Sequence, residues 1–162
     1  MQDLDHQVKV RHVDGQVSVV EGVSGRKIWF DRDAGRLTVV RDSVGRRAEF
    51  SYADNRLSSV LGVDGQSEAY SYDSEGRLTQ VRAPSGLVRL AAGYDGRGRV
   101  SWLEQHGAGR LEFVYDSDAR RTTIRYADGH TLVQQYDDLG RLVAETVGST
   151  SRHLVYDAEG RK

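Results

Sequence analysis

Histidines and carboxylates are the side chains of this sequence with the widest range of chemistry. Five histidines could ligate a metal or transfer a proton: His6, His12, His106, His130 and His153. None forms a pair at metal-ligand spacing, and none lies near a serine that it could activate, although convergence in space stays open. The carboxylates stand mainly in predicted turns, where solvent gives no reason for a raised pKa. The sequence therefore predicts no catalytic residue and no cofactor, and we expect that the protein is not an enzyme.

Two other segments resemble ligand sites only in part. Asp116-Ser117-Asp118 has the opening of a calcium-binding loop, but the central glycine and the distant glutamate are absent. Gly107-Ala108-Gly109 is predicted to be a turn between strands and does not open a helix, so it is no phosphate-binding loop. We predict no metal site at either segment.

Aromatic residues are the remaining candidates for binding. Six of the eight tyrosines form a column that could stack on sugars, but a column of this kind is more typical of packing within a sheet. Trp29 and Trp102 are also predicted to be packing residues. If either indole is exposed, it is the first choice for a contact with a ligand or partner.

The tyrosines belong to a recurring phrase, Tyr-Asp-x-x-Gly-Arg-Leu, which is complete at residues 72–78. Asp at the first position of a turn and Gly at the fourth are typical of a type I turn with a bulged three-residue loop. This register places Asp73 opposite Arg77 and Tyr72 opposite Leu78. The recurrent Asp–Arg pair could form a charged ligand surface, but a turn-forming Asp with cross-strand pairing is the favoured interpretation.

Shorter copies keep the aromatic pair. A two-residue type I′ turn at Asp54-Asn55 would put Tyr52 opposite Leu57. A more degenerate copy has His12 opposite Val17. Because two loop lengths give the same pair, we infer that the aromatic–aliphatic pair is what the repeat maintains.

Two copies depart from the phrase. Residues 30–37 carry one extra residue, so we expect a longer loop there with Phe30 as the motif aromatic. The copy at residues 115–121 has Ala119 where glycine is expected and Arg121 where leucine is expected. Alanine at positive φ costs on the order of 1 kcal/mol. This turn is therefore predicted to be the weakest of the array, or to adopt another conformation.

The motif aromatics recur every 20 to 22 residues, which indicates a tandem array of supersecondary units. A second turn lies halfway between successive motifs, as at Asp64-Gly65 and Pro84-Ser85-Gly86. Each repeat of about 21 residues would thus hold two turns and two strands of about seven or eight residues, and no segment has a helical apolar period.

The predicted fold is all-β, with tandem antiparallel β-hairpins in a twisted, curved open sheet. Residues 1–11 would be an N-terminal strand or lead-in, and residues 12–162 a repeat array that stops before its last return strand. One face should be apolar, because the residue two before each motif aromatic is mostly large, and the other face mixed. The predicted structural signature is Phe30, Gly35, Arg36, Tyr52, Asp54, Arg56, Tyr72, Asp73, Gly76, Arg77, Tyr94, Asp95, Gly98, Arg99, Tyr115, Asp116, Tyr136, Asp137, Gly140, Arg141, Tyr156, Asp157, Gly160 and Arg161.

Composition narrows the classes of function. The 162 residues suffice for one domain, and a net charge of -1 gives no electrostatic reason to expect nucleic acid or an anionic membrane as a partner. The chain has no Cys, which excludes disulfides and thiolate metal sites. No apolar run approaches the roughly 20 residues that span a bilayer, and residues 1–6 lack the features of a signal peptide.

Tyr-Asp-x-x-Gly-Arg-Leu at a period near 21 resembles the YD repeat, or Rhs repeat, of bacterial Rhs polymorphic toxins, toxin-complex C components and teneurins. The resemblance covers about residues 12–162. It implies a long β-sheet that spirals into a hollow shell, which in the bacterial toxins encloses a C-terminal toxin domain. It also implies that the motif residues are structural, and that the protein is secreted or delivered by a bacterial secretion system.

The favoured hypothesis is accordingly a non-enzymatic segment of a β-shell that encloses a toxin or other cargo. Its partners would be further YD repeats, or other copies of the chain, through open sheet edges. The alternative is an adhesin-like repeat module that binds carbohydrate, such as a glycan, or protein through exposed aromatic and arginine side chains.

Overall fold

The structure, a computed structural model, describes residues 8–162, which divide into two compact units at residues 87 and 88. Within the described part of the first unit, eight strands follow one another, and each pairs antiparallel with the next. They are β1 (Lys9–Val13), β2 (Gln16–Glu21), β3 (Lys27–Asp33), β4 (Arg36–Asp42), β5 (Arg47–Ala53), β6 (Arg56–Leu61), β7 (Ser67–Tyr72) and β8 (Leu78–Arg82).

The second unit repeats the same arrangement over residues 88–162. Its seven strands also pair antiparallel in chain order. They are β9 (Val88–Tyr94), β10 (Val100–Gln105), β11 (Gly109–Asp116), β12 (Arg121–Arg125), β13 (Thr131–Tyr136), β14 (Leu142–Val147) and β15 (Thr150–His153).

The predicted all-β hairpin fold is thus confirmed. No helix that could cross a membrane occurs within residues 8–162. Strands run from four to eight residues and are mostly shorter than predicted, because the turns between them take a larger share of each repeat. The expectation for residues 1–11 falls partly on residues 1–7, which lie outside the described part of the chain.

The same turn geometry occurs in the long motif turns and in turns halfway between motifs. The amide of the first residue donates to the carbonyl of the fifth, and the amide of the fourth donates to the carbonyl of the first. The fourth residue is always glycine, with φ between 74° and 89°, a backbone region that L side chains adopt only with strain. Among residues 8–162 the turns of this kind are Gly22–Arg26, Asp42–Arg46, Gly62–Gln66, Asp73–Arg77, Ala83–Leu87, Asp95–Arg99, Tyr126–His130, Asp137–Arg141 and Asp157–Arg161.

The predicted registers of three hairpins are confirmed. Tyr72 pairs with Leu78 across the long turn. Tyr52 pairs with Leu57 across a two-residue turn in which both central residues have positive φ. The degenerate copy also pairs as predicted, with His12 opposite Val17.

The expected longer loop after Phe30 is wrong. Ala34 and Gly35, with φ of 47° and 80°, form a two-residue turn, and Arg32 pairs with Leu37. Phe30 pairs with Val40 instead, which is the place that Phe50 has in the next hairpin. The short turn keeps Leu37 next to the loop, so the extra residue moves the motif aromatic position from Phe30 to Arg32.

The turn after Tyr115 adopts another conformation, one of the two outcomes predicted for it. Asp116 pairs with Arg121 and Tyr115 with Thr122. Arg121 therefore stands opposite the motif aspartate, where the repeat has its arginine, and not opposite the tyrosine, where the repeat has its leucine. Positive φ falls on Arg120, at 48°, and not on Ala119. The four-residue loop therefore removes the strain that a glycine-type turn would have placed on alanine.

Each unit is a single layer of strands. Among the described residues only Ala92 and Leu154 are buried, at 7% and 8% exposure, so the predicted tyrosine core is a half-buried surface. Register and strand alternation give the first unit one face, here called the apolar face. Its apolar members are Val20, Ile28, Phe30, Val40, Ala48, Phe50, Val60, Tyr70 and Val81. Register also places Asp42 opposite Ile28 and Glu68 opposite Val60 on this face.

The opposite surface of the first unit is called the mixed face. It carries Trp29, Asp31, Arg41, Arg47, Glu49, Ser51 and Ser59. The predicted difference between an apolar and a mixed face is therefore present in residues 8–87.

Candidate functional site

An aspartate and an arginine close the long motif turn. The Oδ1 atom of Asp95 accepts hydrogen bonds from the amides of Arg97 and Arg99, each at 2.9 Å. Its Oδ2 atom accepts from Nε of Arg99 at 2.8 Å. We call this arrangement the aspartate–arginine clasp. It recurs with matching atoms in Asp73–Arg77, Asp137–Arg141 and Asp157–Arg161.

The electrostatics of the clasp favour the ionised carboxylate. The amide of Arg99 lowers the pKa of Asp95; partial desolvation opposes this, and the Arg99 guanidinium adds to it. The pKa values of Asp137 and Asp157 are lowered first by the corresponding arginine amides. These carboxylates therefore accept hydrogen bonds at neutral pH and do not act as proton donors.

The same arginine reaches the next hairpin. The guanidinium carbon of Arg99 lies 4.1 Å from the ring centre of Tyr115, within the range of a cation–π contact. The Tyr115 hydroxyl donates to the carbonyl of Val100 at 2.8 Å. Burial raises the pKa of Tyr115, so its hydroxyl keeps the proton that it donates. We call this combination the arginine–tyrosine step: one tyrosine makes a cation–π contact with an arginine and donates a hydrogen bond to the carbonyl of the residue after that arginine.

The step recurs in both units. The guanidinium carbon of Arg36 lies 5.6 Å from the ring centre of Tyr52, whose hydroxyl donates to the carbonyl of Leu37 at 2.9 Å. The guanidinium carbon of Arg141 lies 4.8 Å from the ring centre of Tyr156, whose hydroxyl donates to the carbonyl of Leu142 at 2.9 Å. In each copy, one residue bonds to two adjacent residues of the hairpin before it. The column of tyrosines thus links successive hairpins as well as covering the sheet.

Two positions show variants of the step. Arg32 stands in a tyrosine position, and its guanidinium donates to the carbonyl of Val17 at 2.6 Å. The Arg56 guanidinium lies 6.0 Å from the ring centre of Tyr72 and against Gly76 in the same turn. A shallow groove of about 330 Å³ separates the two hairpin tips there.

Tyr136 is held differently. Its hydroxyl donates to Oε1 of Gln134 on its own strand at 2.9 Å, and the Gln134 amide donates to Glu145 at 3.0 Å. An exposed ion pair joins Arg120 to the turn that follows Tyr136, through Asp138. Strands β12 and β13 share five paired residues, against three for β4 and β5. Longer backbone pairing accompanies the change in side-chain contacts.

Both tryptophans are half-buried and partly covered by arginine. The Arg41 guanidinium lies 4.8 Å from the Trp29 ring, and that of Arg110 lies 4.4 Å from the Trp102 ring. The other side of Trp102 rests on Gly93, where a Cβ atom would overlap the indole nitrogen. Glycine is needed here because the indole lies flat on the strand.

The described histidines do not come together. His130 stacks on Tyr126 with ring centres 4.0 Å apart and pairs with Asp128, so this turn has an aromatic pair where others have a clasp. His6 lies outside the described residues. Within residues 8–162 no three His, Asp or Glu side chains group as metal ligands. The carboxylate of Asp116 bonds to the amide of Ala119 and to Arg121.

One clasp was missed in the sequence. Asp42 accepts from the amide and Nε of Arg46 at 3.0 and 2.7 Å, although this turn lies halfway between motifs. Its signal is the spacing Asp-x-x-Gly-Arg at residues 42–46. Asp54 has φ of 46° and lies in the loop, as the predicted two-residue turn requires, and Ala53 stands opposite Arg56.

Comparison with known proteins identifies the repeat. Residues 53–88 match the RHS repeat family. Three solved structures share the fold: TcdB2-TccC3 without its hypervariable C-terminal region (TM-score 0.52, 11% identity), the Photorhabdus luminescens Tc holotoxin pore (0.51, 10%) and TcdB2-TccC3-Cdc42 (0.53, 12%). The matches cover 93%, 84% and 91% of this chain. They cover 12%, 11% and 12% of the solved chains, so the chain spans about an eighth of their length.

Proposed function

The chain carries RHS repeats, and on that premise we propose that it is a non-enzymatic wall segment. Together with further YD repeats it would form a β-shell that encloses a toxin or other cargo. Secretion, or delivery by a bacterial secretion system, goes with this role.

The arginine–tyrosine step carries the proposal. In the copies at Tyr52, Tyr115 and Tyr156, the tyrosine binds the hairpin before it through both ring and hydroxyl. Such nearest-neighbour contacts let an array grow by adding units. The hydrogen-bonding groups of the motif side chains are engaged in these contacts between hairpins, which supports a structural and not a catalytic use. Further repeats or other copies would extend the wall through unpaired strand edges.

The proposed inner side of the wall is the apolar face, which suits an unfolded polypeptide. The test uses fluorescently labelled α-lactalbumin that is reduced and carboxymethylated, hence permanently unfolded, with folded α-lactalbumin as the reference. We expect fluorescence anisotropy to show binding of the unfolded protein only. Val60→Lys on the apolar face should weaken this binding at least tenfold, because a charge would be buried in the contact.

Ser59→Lys is the matched control, since Ser59 precedes Val60 on β6 and points to the mixed face. It should bind as tightly as the original chain. If the unfolded protein does not bind at concentrations where light scattering shows the chain as a monomer, or if both lysine variants lose binding equally, the apolar face does not hold cargo and the wall proposal fails.

The alternative, an adhesin-like module that binds carbohydrate or protein, has one observation in its favour. Trp29 lies on the mixed face of the first unit and is only half-buried. Its ring is already stacked by Arg41, so a sugar would have to displace the guanidinium. Binding on a glycan array that is lost in Trp29→Ala, without binding of unfolded α-lactalbumin, would favour this module over the wall.

A further inference from the structure

We propose that two copies of this chain pack face to face through the apolar face of residues 8–87. The partner is a second copy of the chain, and the product is a two-layer sandwich with both mixed faces in solvent. This inference concerns the chain in solution and does not depend on cargo enclosure.

The two faces of the first unit differ in the polarity of their side chains. On the apolar face, Val40 sits between Phe30 and Ala48, and Val60 pairs with Phe50. On the mixed face, charged pairs such as Arg41–Asp31 and Arg47–Glu49 stay hydrated. A sheet with one apolar face is stable when a second layer covers that face. Within residues 8–87 no second layer of strands is present.

The exposure of the face leaves room for such a layer. Every apolar member of the face is half-buried or exposed, and Ile28 is 41% exposed.

The size of the face also fits. Eight strands spaced about 4.8 Å apart make a face about 38 Å wide, and strands of about six residues make it about 20 Å long. Two such faces remove about 1,500 Å² in total, within the roughly 1,200–2,000 Å² of a stable specific interface.

Electrostatics do not oppose the contact. The net charge of -1 gives no long-range repulsion between copies. Two acidic residues stand within the apolar rows, Asp42 opposite Ile28 and Glu68 opposite Val60, and both already have partners. Glu68 accepts a hydrogen bond from the Tyr70 hydroxyl at 3.3 Å, and Asp42 is clasped by Arg46 at 2.7 Å. Apolar rows can therefore meet without bringing unpaired like charges together.

Single cysteines test the geometry, because the chain has none of its own. Val40→Cys places a thiol next to the middle of the apolar face, on the fourth of its eight strands, and Val39→Cys places one on the mixed face one residue away. Facing sheets lie about 10 Å apart, a distance that bismaleimidoethane spans approximately. Both substitutions are small, and far-UV circular dichroism checks that each variant keeps its β-structure.

At a few micromolar protein we expect Val40→Cys to form a covalent dimer at least ten times faster than Val39→Cys. Light scattering coupled to size exclusion should give twice the monomer mass for the unmodified chain. A monomer at every concentration would overturn the proposal. Equal crosslinking of the two variants, or a ladder of larger species typical of edge-to-edge association, would overturn it as well.

Discussion

The arginine–tyrosine step at Arg99 and Tyr115 makes a quantitative prediction about how one hairpin stabilises the next. Removing only the hydroxyl, in Tyr115→Phe, deletes the 2.8 Å bond to the Val100 carbonyl and leaves the ring beneath the guanidinium. A hydrogen bond of this kind contributes about 0.5–1.5 kcal/mol net. We therefore expect Tyr115→Phe to lower the free energy of unfolding of the second unit by about 1 kcal/mol.

Removing the ring separates the second part of the step. Arg99→Ala and Tyr115→Leu each delete one partner of the cation–π contact, and their double-mutant cycle isolates the coupling between them. The Arg99 side chain is 36% exposed, which places the coupling near the lower part of the usual range, about 0.5–1 kcal/mol. In a cycle of Arg99→Ala with Tyr115→Phe the ring remains, so that coupling should be close to zero.

The two tryptophans make the assay specific to one unit. Trp29 lies in the first unit and Trp102 in the second, so Trp29→Phe leaves Trp102 as the fluorescent reporter of urea unfolding in residues 88–162. Tyr126→Phe is the control, because Tyr126 contacts His130 through its ring, and it should change stability by less than about 0.3 kcal/mol, an ordinary effect for a surface position.

The reasoning is refuted by either of two results. One is a coupling between Arg99→Ala and Tyr115→Leu that is zero within error. The other is a cost for Tyr126→Phe as large as that for Tyr115→Phe. In either case the tyrosines would only cover the sheet and would not link hairpins.

Three further predictions concern a glycine, a turn and acid. Gly93→Ala should cost about 1–3 kcal/mol, as overpacking does, because its Cβ would overlap the Trp102 indole; unchanged Trp102 emission would contradict this. Ala34→Asn should stabilise the chain by about 0.5–1 kcal/mol, because asparagine tolerates the left-handed region, where Ala34 has φ of 47°; the check is a higher midpoint of thermal unfolding. Asp95, Asp137 and Asp157 have pKa values lowered from 3.8. Their contribution to the free energy of unfolding is therefore complete above that pH, and it is lost as the pH falls through the lower pKa values of the folded state. Asp95→Asn should flatten the acid limb of stability against pH, measured at low salt, and an unchanged limb would show that the clasp does not contribute.

The interior of each repeat was predictable because its causes are local. Asp and Gly three residues apart predict the long turn, and the positive φ required at its fourth position excludes most other residues. Given that turn, Tyr72 must pair with Leu78, and given a two-residue turn, Tyr52 must pair with Leu57. The expected longer loop after Phe30 was wrong because the register is set by the turn at Ala34-Gly35 and not by the spacing of the aromatic residues.

The contacts between repeats were not predictable in the same way. Arg99 meets Tyr115 because β10 and β11 pair and bring two turns side by side, and nothing in the spacing alone says which side chain covers the other. The same holds for Trp102 on Gly93, a contact that depends on the register of β9 and β10.

The sequence by itself determined the class of fold, the repeat and most hairpin registers, since turn chemistry and alternation act over a few residues. Tertiary structure decided that the motif tyrosine is a link between hairpins and not a buried core, that Arg32 can take its place, and that Asp42 carries a clasp between motifs. The physical reason is that a single-layer sheet has no interior: its side chains find their partners along the surface, on strands that only folding makes adjacent.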